Sequence, residues 1–291
     1  MGDRVTTVGV LHPGAMGEAL GGALAGAGAR VVWASDGRSA ATKSRAERSG
    51  FEDVGMLAAL TDSDVVVSIC PPECARDVAE SVAALGFGGM YLDANAIAPA
   101  TAEAIDSVVR GSGASYVDGG VIGGPDAPRL FLSGVAASDL ASLFGAPVTA
   151  VSLDGPAYAA SSLKMIYAGW TKGTSALLFT LAAAAKALGV GDAVADEWAR
   201  SQPALGPRLQ HAGPSAAKAW RWSGEMREIA AALASVDLPS EFHEGAADVF
   251  NRLSALKDDQ SSTIDDVLEL LLTSRRRAVR RPEPQLGEEN R

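Results

Sequence analysis

The chain has 291 residues, of which 47% are apolar, and this length and composition predict a folded protein of two domains. Its 35 acidic and 25 basic side chains give a formal net charge of −10. Such a chain lacks the basic surface that binds a phosphate backbone or anionic lipid, so we expect neither a nucleic-acid partner nor a membrane partner.

The cysteines and the N-terminal segment indicate the cellular compartment of the protein. Cys70 and Cys74 are too few for a disulfide framework or a zinc set, and the first residues lack the pattern of a secretory signal peptide. We therefore expect a cytoplasmic protein. The most apolar stretch, residues 173–185, is shorter than the ~20 residues of a membrane span and predicts a buried helix. The three histidines have no metal-ligand spacing, so we expect no metal site.

Up to about residue 152, short β-branched runs alternate with alanine-rich segments whose composition is typical of helices. Apolar strands that alternate with helices predict βαβ units and a parallel sheet buried on both faces. Right-handed crossovers then give an open, doubly wound Rossmann sheet, and the fold class is α/β. The five predicted strands are Val5–Leu11, Arg30–Ala34, Asp64–Ile69, Met90–Asp93 and Ser115–Asp118.

The pattern changes after about residue 153, where strand-like alternation ends. The following segment predicts one long helix that is opened by Gly155-Pro156 and has no proline in its interior, and further helical segments continue to about residue 273. The charged remainder, which contains proline, predicts a mobile tail. We therefore predict a Rossmann domain over 1–153, a long interdomain helix over 154–188, an all-helical domain over 189–273 and a tail over 274–291.

The strongest local signal is the turn H-P-G-A-M-G, which lies between the first strand and a helix that begins near Ala15. The N-terminus of that helix would bind a dinucleotide pyrophosphate through backbone N–H groups and the helix dipole. Gly14 lets the backbone approach the phosphates, and Gly17 lets the helix pack closely on the strand. His12 replaces the first glycine of this motif and would face the phosphates or the nicotinamide. The predicted cofactor residues here are His12, Pro13, Gly14, Ala15 and Met16.

The end of the second strand selects the nucleotide. A carboxylate there binds the 2′-hydroxyl of NAD, whereas an arginine accepts the 2′-phosphate of NADP. Asp36 would favour NAD, but it lies in a turn where Asp-Gly is common for backbone reasons. Arg38, flanked by Ser35 and Ser39, would form a phosphate clamp, so we favour NADP over NAD.

Five segments taken together resemble the β-hydroxyacid dehydrogenase and 6-phosphogluconate dehydrogenase superfamily, from Val5 to about Lys257. The resemblance implies a Rossmann domain, a long interdomain helix and a helical domain that dimerises, with the active site in the cleft between domains. It therefore implies a homodimer. The segments are HPGAMG, VVVSICPP (Val65–Pro72), YLDANAIAP (Tyr91–Pro99), YVDGGVIGGP (Tyr116–Pro125) and SSLKMIYAGWTKG (Ser161–Gly173).

The resemblance implies that Lys164 is the acid/base residue. When a hydride moves between substrate carbon and nicotinamide, a lysine within hydrogen-bond reach exchanges the proton on the substrate oxygen. The family usually carries an asparagine three or four residues later, where this chain has Tyr167 and Ala168. Tyr167 lies one helical turn after Lys164 and would assist it.

The remaining site residues also follow from the resemblance. Ile122 replaces the family's substrate-binding serine, while the adjacent glycines still offer backbone N–H groups. Asn95 would contact the cofactor or cap a turn, and His243 would line the cleft from the helical domain or be an ordinary helix histidine. The further cofactor residues are Cys70, Pro71, Pro72 and Asn95, and the substrate residues are Gly120, Ile122, Gly123, Gly124 and His243.

These expectations give three hypotheses for function. The leading one is an NADP-dependent oxidoreductase that acts on a small hydroxy compound, a hydroxy acid in the first instance, or on its carbonyl form. The second is an imine reductase that uses NADPH, because residues 118–122 also resemble the substrate strand of those enzymes. The third is a dinucleotide-binding sensor without catalysis. Alanine at position 164 would leave a sensor unaffected and would disable the dehydrogenase.

Overall fold

The computed structural model describes the backbone of residues 5–278 and the side chains of residues 5–273. Two compact units are present. The first unit comprises Met1–Gly169 and Arg227–Ser240, and the second unit comprises Trp170–Met226 and Glu241–Arg291. Within residues 5–278, no helix has both the length and the hydropathy that crossing a membrane requires.

The first unit is built on one eight-stranded sheet with the order β3-β2-β1-β4-β5-β6-β7-β8. All neighbouring strands are parallel except β6 and β7, so the predicted doubly wound α/β sheet is confirmed. The strands are β1 (Thr7–Val10), β2 (Arg30–Trp33), β3 (Glu52–Asp53), β4 (Val65–Ser68), β5 (Met90–Asp93), β6 (Ser115–Ile122), β7 (Arg129–Ser133) and β8 (Thr149–Ser152).

Helices cover both faces of this sheet. Successive valines of β4 face opposite sides, so that Val65 and Val67 join one buried cluster and Val66 joins the other. Each fully buried side chain of this size stabilises the fold by about 1.5–3 kcal/mol. The helices are α1 (Ala15–Gly26), α2 (Ala40–Arg48), α3 (Ala75–Ala84), α4 (Pro99–Gly111) and α5 (Ala137–Ala141).

A 29-residue helix, α6 (Ala159–Ala187), follows the sheet. It begins five residues later than the predicted start at 154, because Tyr158 has a left-handed φ of 61° and breaks the helical path. The division between the two units falls inside this helix, after Gly169. The helix is therefore present as predicted, and its first part belongs to the same unit as the sheet.

The second unit is helical throughout its described residues. Small residues let its helices pack closely: a methyl group at Gly213 would overlap the backbone of Ser262. The last helix continues to residue 278, and residues 279–291 of the predicted tail lie outside the described residues. The helices are α7 (Gly191–Ser201), α8 (Leu205–Gln210), α9 (Ala212–Ala219), α10 (Trp222–Ala234, shared with the first unit), α11 (Glu241–Arg252) and α12 (Ile264–Ala278).

Candidate functional site

The turn between β1 and α1 has the close backbone contact that its glycines predict. A methyl group at Gly17 would overlap the carbonyl oxygen of His12, so this position accepts only glycine without a shift of the turn. A methyl group at Gly14 would instead enter open space. Gly14 is the N-cap residue, and no side chain caps α1. The first N–H groups of α1 are therefore open to an anionic ligand.

His12 and Arg38 form a polar pair beside this turn. Desolvation by burial, together with the charge of Arg38, lowers the pKa of His12 from 6.5 to about 4. Burial also lowers the pKa of Arg38. His12 Nδ1 and Arg38 Nε are both buried, and neither has a hydrogen-bond partner among the described residues. Buried polar atoms are normally paired, so two unpaired atoms on neighbouring side chains indicate a place where a ligand supplies hydrogen-bond partners.

The two serines that flank Arg38 have other partners. The Ser35 hydroxyl donates to the Asp53 carboxylate, which lowers the pKa of Asp53. The Ser39 hydroxyl accepts from the Thr42 N–H and caps α2. These bonds shape the loop around Arg38. Of the three predicted phosphate-binding side chains, Arg38 is the one that keeps a donor atom unsatisfied.

Arg45 holds the phosphate-binding turn against α2. Its Nη1 donates to the carbonyl oxygen of Pro13 at 3.2 Å, and its Nε lies 3.3 Å from the Glu18 carboxylate. Ser49 also donates to Glu18 at 2.9 Å. The sequence analysis did not predict these contacts of Arg45, because nothing in the spacing of residues 13, 18 and 45 shows that they lie close together.

Asn95 joins the ends of β4 and β5. Its Nδ2 donates to Ser68 Oγ at 3.1 Å and to Asp93 Oδ1 at 2.6 Å, and its Oδ1 accepts from the Cys70 N–H at 2.6 Å. The Asn95 side chain therefore fixes the segment that carries Cys70, Pro71 and Pro72. Burial raises the pKa of Cys70 to about 12, so its thiol is protonated at neutral pH and is not a nucleophile.

Asp93 and Asp118 are register partners on β5 and β6, and both carboxyl groups are buried. Burial raises the pKa of Asp93 to about 7, although N–H groups of Asn95 oppose this effect, and the charge of Asp118 adds to the rise. Burial also raises the pKa of Asp118. Tyr116 donates to Asp93 at 3.3 Å. The sheet thus contains two adjacent buried carboxyl groups, and the charge of Asp118 disfavours the ionised form of Asp93.

We expect Asp93→Asn to change how stability depends on pH. Between about pH 4 and about pH 7 the native state keeps a proton on Asp93 that the unfolded chain has released, so the free energy of unfolding falls as pH rises through this window. The slope is at most about 1.4 kcal/mol per pH unit, and the asparagine variant lacks it. Urea unfolding across this range measures the difference. The exposed Asp196→Asn is the control, and an equal slope in wild type and Asp93→Asn would contradict the assignment.

Asp118 anchors the first turn of α6. Its carboxylate accepts from the Ser161 N–H at 2.9 Å and from the Ser161 hydroxyl, and Ser133 donates to it at 2.8 Å. The Ser133 hydroxyl also accepts from the Ala160 N–H at 3.1 Å. An acidic group at the N-terminus of a helix accepts hydrogen bonds from the open N–H groups of the first turn, and its negative charge interacts favourably with the helix dipole. Sequence reasoning missed this anchor, because Asp118 and Ser161 are 43 residues apart.

Lys164 lies against β6, the strand predicted to bind substrate. Its Nζ donates to the carbonyl oxygen of Val121 at 2.9 Å. Gly120 makes this approach possible, because a Cβ there would lie 2.5 Å from the Ala160 carbonyl oxygen and 3.1 Å from Lys164 Cβ. The structure therefore brings the predicted acid/base residue to the predicted substrate strand, within one compact unit.

The other predicted substrate residues differ in exposure. Ile122 is 3% exposed and its side chain belongs to the core, whereas Gly123 and Gly124 are exposed and Gly123 has a left-handed φ of 100°. After the end of β6, therefore, the groups available to a ligand are the backbone groups of Gly123 and Gly124. Tyr167 is 43% exposed, one turn after Lys164.

His243 belongs to the second unit, where it packs on α6. A Cβ at Gly173 would lie 3.0 Å from His243 Nε2. In the same unit Lys172 forms an ion pair with Glu225, a nearly buried carboxylate, and Lys172 Nζ lies 5.5 Å from the centre of the Trp222 ring. Sequence reasoning missed this ion pair, because its partners are 53 residues apart.

Glu228 is a second residue that the sequence did not reveal. It accepts from the Ala98 N–H and from the Thr101 hydroxyl, each at 2.7 Å, although it lies 130 residues after Ala98. Its carboxylate thereby caps the N-terminus of α4 within the first unit. This cap fixes the segment between Asn95 and α4.

The residues around the β1–α1 turn fit a dinucleotide. Open space beyond Gly14 leaves room for a pyrophosphate at the uncapped start of α1. The unsatisfied donor of Arg38 suits an anionic group near the end of β2. Such a cofactor would be held by Gly14, Ala15, Met16 and Arg38, with Asn95 fixing the neighbouring loop.

Two family descriptions match different parts of the chain. Residues 7–141, from β1 to the end of α5, match the NAD binding domain of 6-phosphogluconate dehydrogenase. Residues 185–253 match a domain family of unknown function, DUF1932. No curated protein matches the chain.

Solved structures share the fold over most of the chain. A conserved protein of unknown function, described as structurally similar to 3-hydroxyacid dehydrogenases, is 26% identical with a TM-score of 0.63, covering 86% of this chain and 97% of that one. Mycobacterium tuberculosis 3-hydroxyisobutyrate dehydrogenase with L-serine is 17% identical, with a TM-score of 0.66 and coverage of 94% and 100%. A Myxococcus stipitatus imine reductase variant with NAD+ is also 17% identical, with a TM-score of 0.52 and coverage of 92% and 100%.

The 17% identical structures show likeness of fold alone. The family match covers the strand, turn and helix that form the phosphate-binding site, and the structure gives that site the glycine contacts and open donors that a dinucleotide requires. The matches over residues 7–141 and 185–253 and the 26% identical structure together support the superfamily of NAD(P)-dependent oxidoreductases that contains 6-phosphogluconate dehydrogenase and the 3-hydroxyacid dehydrogenases.

Proposed function

We propose that the protein is an NADP-dependent oxidoreductase that interconverts a small hydroxy compound, in the first instance a hydroxy acid, and its carbonyl form. The observation that carries this proposal is the position of Lys164, whose Nζ is hydrogen-bonded to the Val121 carbonyl oxygen on β6. A proton donor fixed beside an exposed glycine backbone suits a reaction that needs one proton at a substrate oxygen.

The chemistry assigned to the chain's own residues is proton transfer. Bound nicotinamide cofactor supplies or accepts the hydride. In the direction of reduction, Lys164 donates a proton from Nζ to the oxygen of the carbonyl group as the carbon gains a hydride. In the direction of oxidation, Lys164 takes the hydroxyl proton. Asp118 acts through position, since its bonds to Ser161 fix the turn of α6 that precedes Lys164.

The substrate residues favour a small ligand that is held by backbone groups. Gly123 and Gly124 are exposed and offer N–H groups, while the Ile122 side chain is buried and offers no polar group. A carboxylate or a less acidic polar group would accept from these N–H groups. Tyr167 would assist as a second donor, because it is partly exposed one helical turn after Lys164.

Arg38 supports NADP as the cofactor, because it keeps an unsatisfied donor at the end of β2. We expect Arg38→Ala to weaken NADP+ binding by roughly 10- to 100-fold, since a charge-assisted bond to phosphate is lost, and to leave NAD+ binding within about twofold. Calorimetric titration of both nucleotides measures this difference. Lys43→Ala, an exposed residue of the next helix, is the control. Equal losses for NADP+ and NAD+ would contradict the preference for NADP.

Reduced-nucleotide consumption tests the function itself. NADPH and NADH are offered in parallel with small keto acids, semialdehydes and cyclic imines. Turnover of carbonyl acids with NADPH is expected. Turnover of imines alone would establish the imine reductase in its place, and tight NADPH binding without turnover of any compound would favour the sensor.

We also propose a homodimer formed through the second unit, in the cytoplasm. The side chains of Leu177, Leu181 and Leu188 are exposed there. An apolar cavity of about 880 Å³ lies beside Trp198 and Leu268. The cavity contains none of the predicted site residues. An unpartnered apolar surface of this kind favours self-association. Sedimentation equilibrium is the test, and a monomer at micromolar concentration would contradict the dimer.

A further inference from the structure

The imidazole of His12 has no role in the fold that its contacts explain. Its own backbone oxygen accepts from the Gly14 N–H at 2.7 Å, which any residue at position 12 would provide. Outside glycine, the described residues with a left-handed φ are Tyr158, Asp237 and Asp258, so the turn at His12 has an ordinary backbone conformation. The side chain is half-buried, and its Nδ1 atom is buried without a hydrogen-bond partner among the described residues, which costs free energy that an apolar side chain would not lose.

The unpaired Nδ1 of His12 belongs to a ring close enough to Arg38 for the charge of Arg38 to lower the pKa of His12, and Arg38 itself has an unpaired Nε. We propose that His12 and Arg38 together form the binding site for the 2′-phosphate of NADP, and that His12 takes up a proton as this phosphate binds. The inference rests on the proposed preference for NADP. It gives His12 a role in discriminating NADP from NAD, a role that a glycine at this position could not have because it has no side chain.

The charges around the pair support proton uptake. Without ligand, His12 is neutral at neutral pH, because burial and the positive charge of Arg38 lower its pKa to about 4. Cys70, which faces Arg38, carries no charge at neutral pH, because its pKa is raised to about 12. The neighbouring Arg45 is paired with Glu18. A phosphate monoester brings a charge of about −1.5 to −2, which reverses the sign of the local field and favours the imidazolium.

The proton balance is simple. Neutral His12 accepts one proton from solvent at a ring nitrogen, and Nδ1–H and Arg38 Nε–H then both donate to phosphate oxygens. NAD+ has a hydroxyl group in place of this phosphate and so drives no uptake. We therefore expect NADP+ affinity to rise as pH falls from about 8 to about 6.5, by up to about tenfold per unit when one proton is taken up.

The test is calorimetric titration of the full chain with NADP+ at about pH 6.5, in two phosphate-free buffers of different ionisation enthalpy. His12→Asn is the matched variant, because its amide keeps a donor and cannot titrate. The phosphate titrates in both proteins, so the difference in protons bound between wild type and variant isolates His12. We expect wild type to bind a substantial fraction of a proton more than His12→Asn, and the two to bind NAD+ alike.

Three outcomes separate the inference from the function on which it rests. Equal proton uptake in wild type and His12→Asn, with Arg38→Ala still selectively weakening NADP+ binding, would overturn the role of His12 and leave the NADP preference intact. Failure of Arg38→Ala to weaken NADP+ binding would overturn the preference itself. A loss of NAD+ binding equal to the loss of NADP+ binding in His12→Asn, in a protein with unchanged circular dichroism, would place His12 at the shared part of the nucleotide and overturn the proposal.

Discussion

Lys164→Ala is expected to lower kcat by about 10²- to 10⁴-fold, because positioned general acid/base catalysis contributes a factor of this size. Binding of NADPH should stay within about twofold of wild type, since Lys164 Nζ bonds to the Val121 carbonyl oxygen and lies away from the β1–α1 turn in the chain. Steady-state turnover and a fluorescence titration of NADPH measure the two quantities on the same preparation.

Two further variants sharpen this result. Lys164→Arg keeps a positive charge but gives up no proton at neutral pH, so it should be nearly as inactive as the alanine variant. Lys186→Ala removes an exposed lysine from the same helix, whose partner Asp265 is also exposed, and should leave kcat unchanged. Retention of more than about half of wild-type kcat in Lys164→Ala would exclude Lys164 as the acid/base residue.

Gly17→Ala is expected to have the second large effect, in this case on nucleotide binding and on stability. Its methyl group would overlap the His12 carbonyl oxygen, which is backbone and has no rotamer to change. Relieving the overlap moves the turn that carries Gly14, at a cost of about 1–3 kcal/mol in the free energy of unfolding. Dinucleotide affinity should fall by at least about tenfold, because that turn forms the phosphate site.

Gly22 and Gly14 provide matched controls for Gly17. A methyl group at Gly22, on the same helix, meets nothing, so Gly22→Ala should stabilise the protein by about 0.5–1 kcal/mol and leave nucleotide binding unchanged. A methyl group at Gly14 also meets nothing among the described residues but enters the space assigned to the phosphates, so Gly14→Ala should weaken binding and lower stability only by the roughly 1 kcal/mol that alanine costs at an N-cap. Urea unfolding and nucleotide titration together distinguish the three glycine variants. Equal free energies of unfolding and equal nucleotide affinities for Gly17→Ala and Gly22→Ala would contradict the structure of the turn.

The sequence predicted those parts of the fold that depend on local pattern. The apolar runs of β1, β2, β4 and β5 carry their own signal, since strands buried on both faces are nearly continuous in valine and leucine. The glycine turn is similarly local, because the close contact of Gly17 is with His12, five positions earlier in the chain. The outer strands gave no such signal: β3 has only two residues and β8 is largely exposed.

Contacts between distant residues could not be predicted in this way. Glu228 caps α4 from 130 residues away, and Asp118 bonds Ser161 across 43 residues. Either carboxylate, taken alone in the sequence, could equally be an exposed surface charge. His12 is intermediate: the missing glycine identified the position, but only the fold brings its imidazole beside Arg38.

Deuterium transfer tests the central claim most directly. NADPH that carries deuterium at both positions of nicotinamide C4 is incubated with wild-type protein and each carbonyl acid or imine that supports turnover, and the product is examined by mass spectrometry. We predict one deuterium on the reduced carbon of a hydroxy acid, formed at a rate that falls with Lys164→Ala. A product without deuterium, or no reduced product from any carbonyl compound at saturating NADPH, would contradict the assignment of this protein as an NADP-dependent carbonyl and hydroxy-acid oxidoreductase.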